Sequence, residues 1–290
     1  MDTTVLSFLA APFAASLILT GIHAYLGVHV VERGVIFVDL SLAQIAALGG
    51  SVALLLPFTN GDPRAPSIYW ISLGFTFIGA LVFSTIRGHR ARIPQEAIIG
   101  ISYAVASAAT ILALSRATSE GEHLREMLVG NILAVSWTDV REAAILYAII
   151  GTFHYVFRHK FLLISMDPRR AEAMGISIRL WDFLFYASFG FVVTSSVAIA
   201  GVLLVFCYLI VPSVAAMLYA EDIGKRLAIG WTMGTIVSAL GVYLSLLLDL
   251  PTGATIVCTF GLMLVIMALA RVLIPGAERT EIQASPEGID

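Results

Sequence analysis

A carboxylate inside an apolar run is the first candidate for chemistry in this chain. Residues 34–56 read GVIFVDLSLAQIAALGGSVALLL, where Asp39 is the only charged residue and the amide Gln44 follows five positions later. Ionisable groups inside a membrane-spanning segment are costly, and they mark an ion path or a structural pair. Carboxylate and amide oxygens can replace part of the water shell of a divalent cation. Asp39 is therefore a candidate ligand for a passing ion or, alternatively, a cap of its span or a partner of Arg33.

The composition indicates that most of the chain lies in a membrane. Of its 290 residues, 59% are hydrophobic and only 13% are charged, and the mean hydropathy is +0.92. A soluble domain carries about 25% charged residues. Apolar runs of about 20 residues, long enough to cross a bilayer, recur along the chain. We predict an all-α polytopic membrane protein with about eight or nine transmembrane helices. The nine apolar segments cover residues 5–30, 34–56, 67–86, 97–115, 141–157, 182–198, 200–220, 227–247 and 252–271.

The distribution of basic residues predicts the orientation. With nine spans and the N-terminus outside, all but four of the 17 Lys and Arg residues fall on the inner side, as the positive-inside rule requires. Residues 1–274 are predicted to form one transmembrane domain, and residues 275–290 a polar, disordered cytoplasmic tail. Residues 123–140 are too short and too interrupted to count as a span, and we predict a re-entrant or interfacial element on the outer side.

A short helix is predicted on the inner side within the sequence SMDPRRAEAMGI. Asp167 supplies a side-chain cap, Pro168 suits the first helical position, and Gly175 supplies the stop. Such a helix is either a solvated connector or a docking helix for a soluble partner. In the second case the packable face would come from its small and apolar side chains, Ala171, Ala173 and Met174.

Several kinds of chemistry have no motif in the chain. The sequence has no phosphate-binding loop of the form G-x-x-x-x-G-K-[ST], and no His-x-x-x-His or Cys-x-x-Cys pair for zinc. A net charge of −3 without a basic run gives no indication of nucleic-acid binding. The chain is thus predicted to be no enzyme, and any ATP that drives it would be hydrolysed by another protein.

Other polar residues are predicted to have structural roles. His23 and His29 lie in the first span and are expected to pack against neighbouring helices. His154, near an inner loop, is expected to be solvated. Cys207 and Cys258 lie in apolar runs and are expected to be buried thiols rather than a disulfide or a metal pair.

Six segments resemble, in order, those of the metal-ion permease subunits of ATP-binding-cassette importers for zinc, manganese or iron. They read GVHVVERGVIFVDLSLAQIAALG, QEAIIGISYA, LVGNILAVSWTDV, MDPRRAEAMGI, AGVLLVFCYLIVPSVAAML and LSLLLDLPTGATIV. The resemblance covers nearly the whole chain and implies a permease fold of the type II importers. It also implies that the short inner helix is the coupling helix that docks in a groove of the ATPase. The coupling residues carried over are Asp167, Arg170, Ala171, Met174 and Gly175.

The resemblance also implies a set of residues along the translocation path. Asp39 aligns with the family's aspartate, and Glu96 stands where the family has another acidic residue, although a carboxylate that begins a helix also favours the helix dipole. Pro212 would permit a kink or gate in its span. Asp249 and Pro251 match the turn at the outer mouth, where Asp249 could instead cap that turn.

One departure from the family pattern affects the choice of metal. The family has a histidine four residues after the aspartate, where this chain has Ala43; counted back from Gly49 instead, the histidine position is Gln44. Residues five apart point about 140° away from each other on a helix, so Asp39 and Gln44 would need a local bulge to bind one ion. Asp39, Gln44 and Glu96 are the candidate transient ligands for the metal ion. Loss of the imidazole weakens the preference for zinc and other late transition metals.

The resemblance implies a divalent metal as substrate rather than as a resident cofactor. It also implies a cytoplasmic ATP-binding subunit, an extracytoplasmic metal-binding protein and a second permease, identical or similar, all at the inner membrane of a bacterium. Two alternatives are a gradient-driven secondary transporter and an importer permease for a chelate or another small solute.

Overall fold

The computed structural model describes residues 3–59, 65–86, 94–115 and 132–273, and these are almost entirely helical. No strand occurs within these ranges, which confirms the predicted all-α fold. The helices are α1 (Thr3–Glu32), α2 (Val38–Leu54), α3 (Pro66–Ile86), α4 (Gln95–Leu114), α5 (Trp137–Val156), α6 (Arg158–Met166), α7 (Pro168–Ala173), α8 (Ile178–Ala200), α9 (Val202–Met217), α10 (Ile223–Leu248) and α11 (Thr252–Leu273).

Most of these helices are suited to a bilayer. Six of them, α1, α3, α4, α8, α10 and α11, are long and apolar enough to cross a membrane. Helices α5 and α6 also pass as one span, although they are bent by 74° at their junction. Helices α2 and α9 are apolar but shorter, with 17 and 16 residues. Each of the nine predicted spans overlaps one of these elements, which confirms a polytopic membrane fold.

The structure differs from the prediction at residues 123–140. Residues 137–140 form the first turn of α5, and Ser136 and Asp139 cap that turn reciprocally. The Ser136 backbone N–H donates to Asp139 Oδ2 at 2.8 Å, and the Asp139 N–H donates to Ser136 Oγ at 3.3 Å. This capping box begins the helix earlier than hydropathy alone indicates. Residues 116–131 and the predicted tail, 275–290, lie outside the described residues.

Helix α1 lies at the centre of the bundle, in contact with α5, α9 and α10. On one side α2 packs against α3 and α4, and α3 packs against α8; on the other side α10 and α11 pack against α9. The largest fully buried side chains include aromatic residues of α6, α8 and α9, namely Phe161, Phe185, Phe189, Tyr186 and Tyr208. These side chains belong to one buried apolar cluster, which also includes Leu19 and Leu26 of α1.

Helices α1 and α9 approach each other at Gly27. A Cβ atom at this position would overlap the carbonyl oxygen of Leu209 and the Oγ of Ser213. The Ser213 Oγ also lies 2.9 Å from the carbonyl oxygen of Leu209 and 3.3 Å from that of Ala24 in α1. Small residues permit such backbone contact between membrane helices, where packing rather than hydrophobicity drives association.

We expect Gly27→Ala to lower the apparent melting temperature of the purified protein. The added methyl group meets a helix backbone that cannot rotate away, and overpacking of this kind costs about 1–3 kcal/mol. Gly21→Ala in the same helix is the matched control, because nothing lies within 4 Å of its added Cβ. Equal melting temperatures for the two variants in detergent would contradict the close contact at Gly27.

Candidate ion site and coupling segment

Asp39 lies in the first turn of α2 and its side chain is buried, with 1% exposed. Neither carboxylate oxygen has a hydrogen-bond partner among the described residues. Asp39 makes no cap bond to the start of α2, and Arg33 pairs with Asp182 instead, with 2.6 Å between Nη1 and Oδ1. The structure therefore supports neither alternative for Asp39, the helix cap or the pair with Arg33. A buried carboxylate without such partners is costly, because desolvation is not repaid by hydrogen bonds.

Gln44 is also buried, with 7% exposed, but it does not share a direction with Asp39. Helix α2 is α-helical throughout from Val38 to Leu54, so the local bulge that could align the two side chains is absent. They point about 140° apart. No group of three or more His, Cys, Asp or Glu side chains that could hold a metal occurs in the described part of the chain. Among these candidate ligands, Asp39 therefore stands alone on its side of α2.

Glu96 caps the start of α2. It lies in the first turn of its own helix, α4, as the sequence indicated, but its Oε1 accepts a hydrogen bond from the backbone N–H of Phe37 at 3.0 Å. Phe37 is the residue that precedes α2, and its N–H is one of the groups that a helix start leaves without a partner. The second oxygen, Oε2, is buried with no hydrogen-bond partner. Glu96 therefore joins α4 to the turn that carries Asp39, which sequence reasoning missed.

The coupling segment has the predicted local structure. Helix α7 is six residues long, and the Asp167 Oδ1 accepts a hydrogen bond from the Arg170 N–H at 3.0 Å. Pro168 occupies the first position of the helix. Gly175, with φ +74°, follows in the left-handed region that glycine adopts without strain. The predicted cap, start and stop are all confirmed.

The predicted docking face is wrong at one residue. Ala171 is fully buried against the rest of the chain, whereas Arg170 and Met174 are exposed, Met174 by 63%. Helix α7 contacts α6 and α8, and Ala171 is the position that faces them. In this six-residue helix the one buried residue is Ala171, whose small side chain fits against the neighbouring helices. A soluble partner could therefore contact Arg170, Ala173 and Met174 but not Ala171.

A buried ion pair lies beside the coupling segment. The side chains of Arg33 and Asp182 are both 0% exposed, and the Arg33 guanidinium lies 4.0 Å from the centre of the Phe185 ring. The Arg33 Nε also donates to Ser165 Oγ at 2.9 Å. Sequence reasoning offered Arg33 as a partner of Asp39 and missed this pair. The sequence shows a charge at the edge of each of the two apolar runs, but it does not indicate that these charges pair.

Two histidines continue this polar cluster. The His29 Nδ1 lies 2.9 Å from Ser165 Oγ, and the His154 Nε2 lies 2.8 Å from Ser188 Oγ. His29 packs as predicted, but His154 is buried, with 1% exposed, and stacks on Phe161 at 4.3 Å, so its predicted solvation is wrong. The burial follows from the 74° bend between α5 and α6, which folds α6 over the ring.

The remaining predicted residues lie away from this cluster. Helix α9 continues through Pro212, which is buried. Asp249 ends α10 in the left-handed conformation and is exposed, and the turn to α11 continues through Pro251. Asp249 thus serves as the cap of this turn, one of its two predicted roles. Both cysteines are free; Cys207 is buried as expected, but Cys258 is exposed on α11, contrary to expectation.

Comparison with known proteins gives consistent matches. The sequence profile of the ABC 3 transport family matches residues 5–271. The manganese transport system membrane protein MntC of Listeria innocua is 29% identical over 202 residues, 67% of this chain and 71% of that protein. The chelated iron transport system membrane protein YfeC of Yersinia pestis is 25% identical over 244 residues, 83% and 79% of the two chains. The fold resembles that of PsaBC from Streptococcus pneumoniae with a TM-score of 0.74, 23% identity and 90% of each chain covered.

We expect Glu96→Gln to retain stability and any metal uptake, whereas Glu96→Ala should lower the melting temperature. The glutamine oxygen can still accept from the Phe37 N–H, and loss of such a cap costs about 1 kcal/mol. Thermal unfolding and metal uptake of the two variants test this. If Glu96→Gln loses uptake while its melting temperature stays native, the carboxylate charge acts on the ion and the capping role is insufficient.

Proposed function

The chain belongs to the ABC 3 transport family, and on that premise we propose that it is the permease of an ATP-driven importer for manganese or iron ions. The single observation that supports a metal path is that the carboxylate of Asp39 is buried without hydrogen-bond partners. A positive ion that passes beside it would recover part of the desolvation cost of that charge. The path through the bundle is thus proposed to run by the first turn of α2.

The ligand chemistry favours a hard divalent ion. Carboxylate and carbonyl oxygens suit manganese, whereas imidazole suits zinc and the later metals. This chain has Ala43 where the family pattern has histidine, and only Asp39 is offered by this turn of α2. The printed names of the relatives, which refer to manganese and iron, support the same choice. One charged ligand also permits the weak binding that release on the far side requires.

A separate ATPase is proposed to dock on the coupling segment. The chain has no phosphate-binding loop of its own, and α7 presents Arg170 and Met174 outward at the end of the bundle that is predicted to be cytoplasmic. An exposed methionine is an adaptable contact for a groove in a partner. The proposed assembly contains two permeases, identical or similar, two ATPase subunits and an extracytoplasmic metal-binding protein at the inner membrane of a bacterium.

Transport would then proceed by alternating access. Binding of ATP to the partner subunits shifts the coupling segment, and the helices around Asp39 open to the opposite side of the membrane. The permease itself makes and breaks no covalent bond. Its contribution is to hold a charged ligand at a fixed place and to change which side of the membrane reaches it.

We expect Asp39→Asn to reduce manganese uptake without lowering the melting temperature. No hydrogen bond of the fold is lost, and removal of an unpaired buried charge relieves a cost of several kcal/mol. Uptake should fall about tenfold or more, because about 1.4 kcal/mol of lost binding corresponds to a factor of ten.

Ser51→Ala is the matched control for Asp39→Asn, since Ser51 is buried in the same helix and its Oγ also has no hydrogen-bond partner. Uptake by cells that lack their own manganese importers measures the effect. A variant Asp39→Asn that unfolds at lower temperature and transports in proportion to its folded amount would show that Asp39 is structural.

We expect Met174→Glu to abolish co-purification of the cognate ATPase while the permease keeps its native melting temperature. The new charge lies on the exposed surface of the coupling segment, where it costs little in the free protein, but its burial in an apolar groove of the partner would cost desolvation free energy. Met217→Glu is the matched control, because Met217 is also a partly exposed methionine, at the end of α9. Retention of the ATPase by Met174→Glu would contradict docking at this residue.

A further inference from the structure

The side chain of Arg33 bonds to both flanks of the coupling segment. Ser165 lies in the last turn of α6, two residues before the cap of α7, and Asp182 lies in the first turns of α8, which follows Gly175. The guanidinium donates from Nε to Ser165 Oγ at 2.9 Å and from Nη1 to Asp182 Oδ1 at 2.6 Å. Arg33, the residue directly after α1, therefore joins the chain before the coupling helix to the chain after it.

The bonding leaves little freedom at either flank. The Ser165 hydroxyl donates its proton to the Phe161 carbonyl at 2.9 Å, so its oxygen accepts from both Arg33 and the Nδ1–H of His29. The side chains of Arg33 and Asp182 are fully buried. Separation of a buried ion pair leaves charge in a medium that cannot solvate it. Helix α7 cannot shift with its flanks unless Arg33 shifts too.

Arg33 is also linked tightly to the start of α2. The turn after it is closed by backbone hydrogen bonds from Gly34 N to Val31 O at 3.0 Å and from Val35 N to Val30 O at 3.2 Å. Gly34 has φ +67°, a conformation that other residues rarely adopt. Such a turn moves as one piece with the end of α1. It leads within a few residues to the first turn of α2, which carries Asp39.

We infer that Arg33 is a positioning residue that transmits movement of the coupling segment to Asp39. The inference rests on the proposed function, because it names the connection between the proposed ATPase dock and the proposed path ligand. Movement of α7 displaces Ser165 and Asp182, and Arg33 carries that displacement through the turn at Gly34 into α2. Glu32, the neighbouring residue, bonds instead to Arg226 of α10.

Arg33→Lys tests the inference while it preserves the buried charge pair. A lysine amine can reach one carboxylate, but it lacks the guanidinium fork that bonds Ser165 and Asp182 together. We expect the Arg33→Lys permease to co-purify with the ATPase as the native permease does, to keep a melting temperature near the native value and to support continued ATP hydrolysis. The number of manganese ions accumulated per ATP hydrolysed, in vesicles that hold permease and ATPase, should fall at least about fivefold, the lower end of usual coupling effects.

Ser165→Ala provides an independent variant. It removes the oxygen that accepts from Arg33 and His29 but retains the ion pair between Arg33 and Asp182, so the same ratio should fall in the same direction. Glu32→Gln is the matched control, because it removes the other ion pair of the same corner, that with Arg226. We expect it to leave the ratio of ions to ATP near the native value.

The outcomes separate this inference from the proposed function. If both Arg33→Lys and Ser165→Ala accumulate the native number of manganese ions per ATP hydrolysed, the inference is overturned, whereas the proposed importer function is not. An equal fall in Glu32→Gln also overturns it, because general loosening of the corner then accounts for the effect. A native protein that shows no ATP-dependent uptake overturns the proposed function and this inference with it.

Discussion

The cost of burying charge is the constraint on which the arrangement of this bundle depends. Only 13% of the residues are charged. A charged side chain that is buried in the bundle must form an ion pair, accept or donate hydrogen bonds, or take part in transport. Arg33 and Asp182 neutralise each other with both side chains fully buried, and they join the turn after α1 to α8. Asp39 has no such partner, although it lies only six residues after Arg33. The contrast between a paired and an unpaired charge at one corner separates a structural role from a proposed role in transport.

The fold follows from the sequence to the extent that it depends on local hydropathy. Nine apolar segments were predicted, and the structure has a helix in each, because a backbone in a bilayer must satisfy its own hydrogen bonds. The boundaries differ where a specific side chain decides them. Ser136 and Asp139 start α5 before its apolar stretch, and the bend between α5 and α6 is not visible in composition. That bend buries His154, which the sequence placed near solvent.

In the candidate site, likewise, the features that depend on neighbouring residues were predictable, and those that depend on distant residues were not. The cap at Asp167 and the stop at Gly175 were predicted because both depend on neighbours within a few residues. The pairing of Arg33 with Asp182 joins residues 149 positions apart, and the bond from Phe37 to Glu96 spans 59, so a single sequence contains no local signal for either. Ala171 was assigned to the wrong side because a six-residue helix has too few turns for its inward face to be read from periodicity.

The central claim is that this chain moves a divalent metal ion with energy from a partner ATPase. Accumulation of manganese by sealed vesicles that contain the permease and its ATPase, measured with and without ATP and with ionophores that abolish proton and sodium gradients, tests it most directly. The account predicts accumulation that requires ATP and the ATPase and is unaffected by the ionophores. Accumulation that persists without ATP and is abolished by the ionophores would contradict it and would favour a gradient-driven transporter.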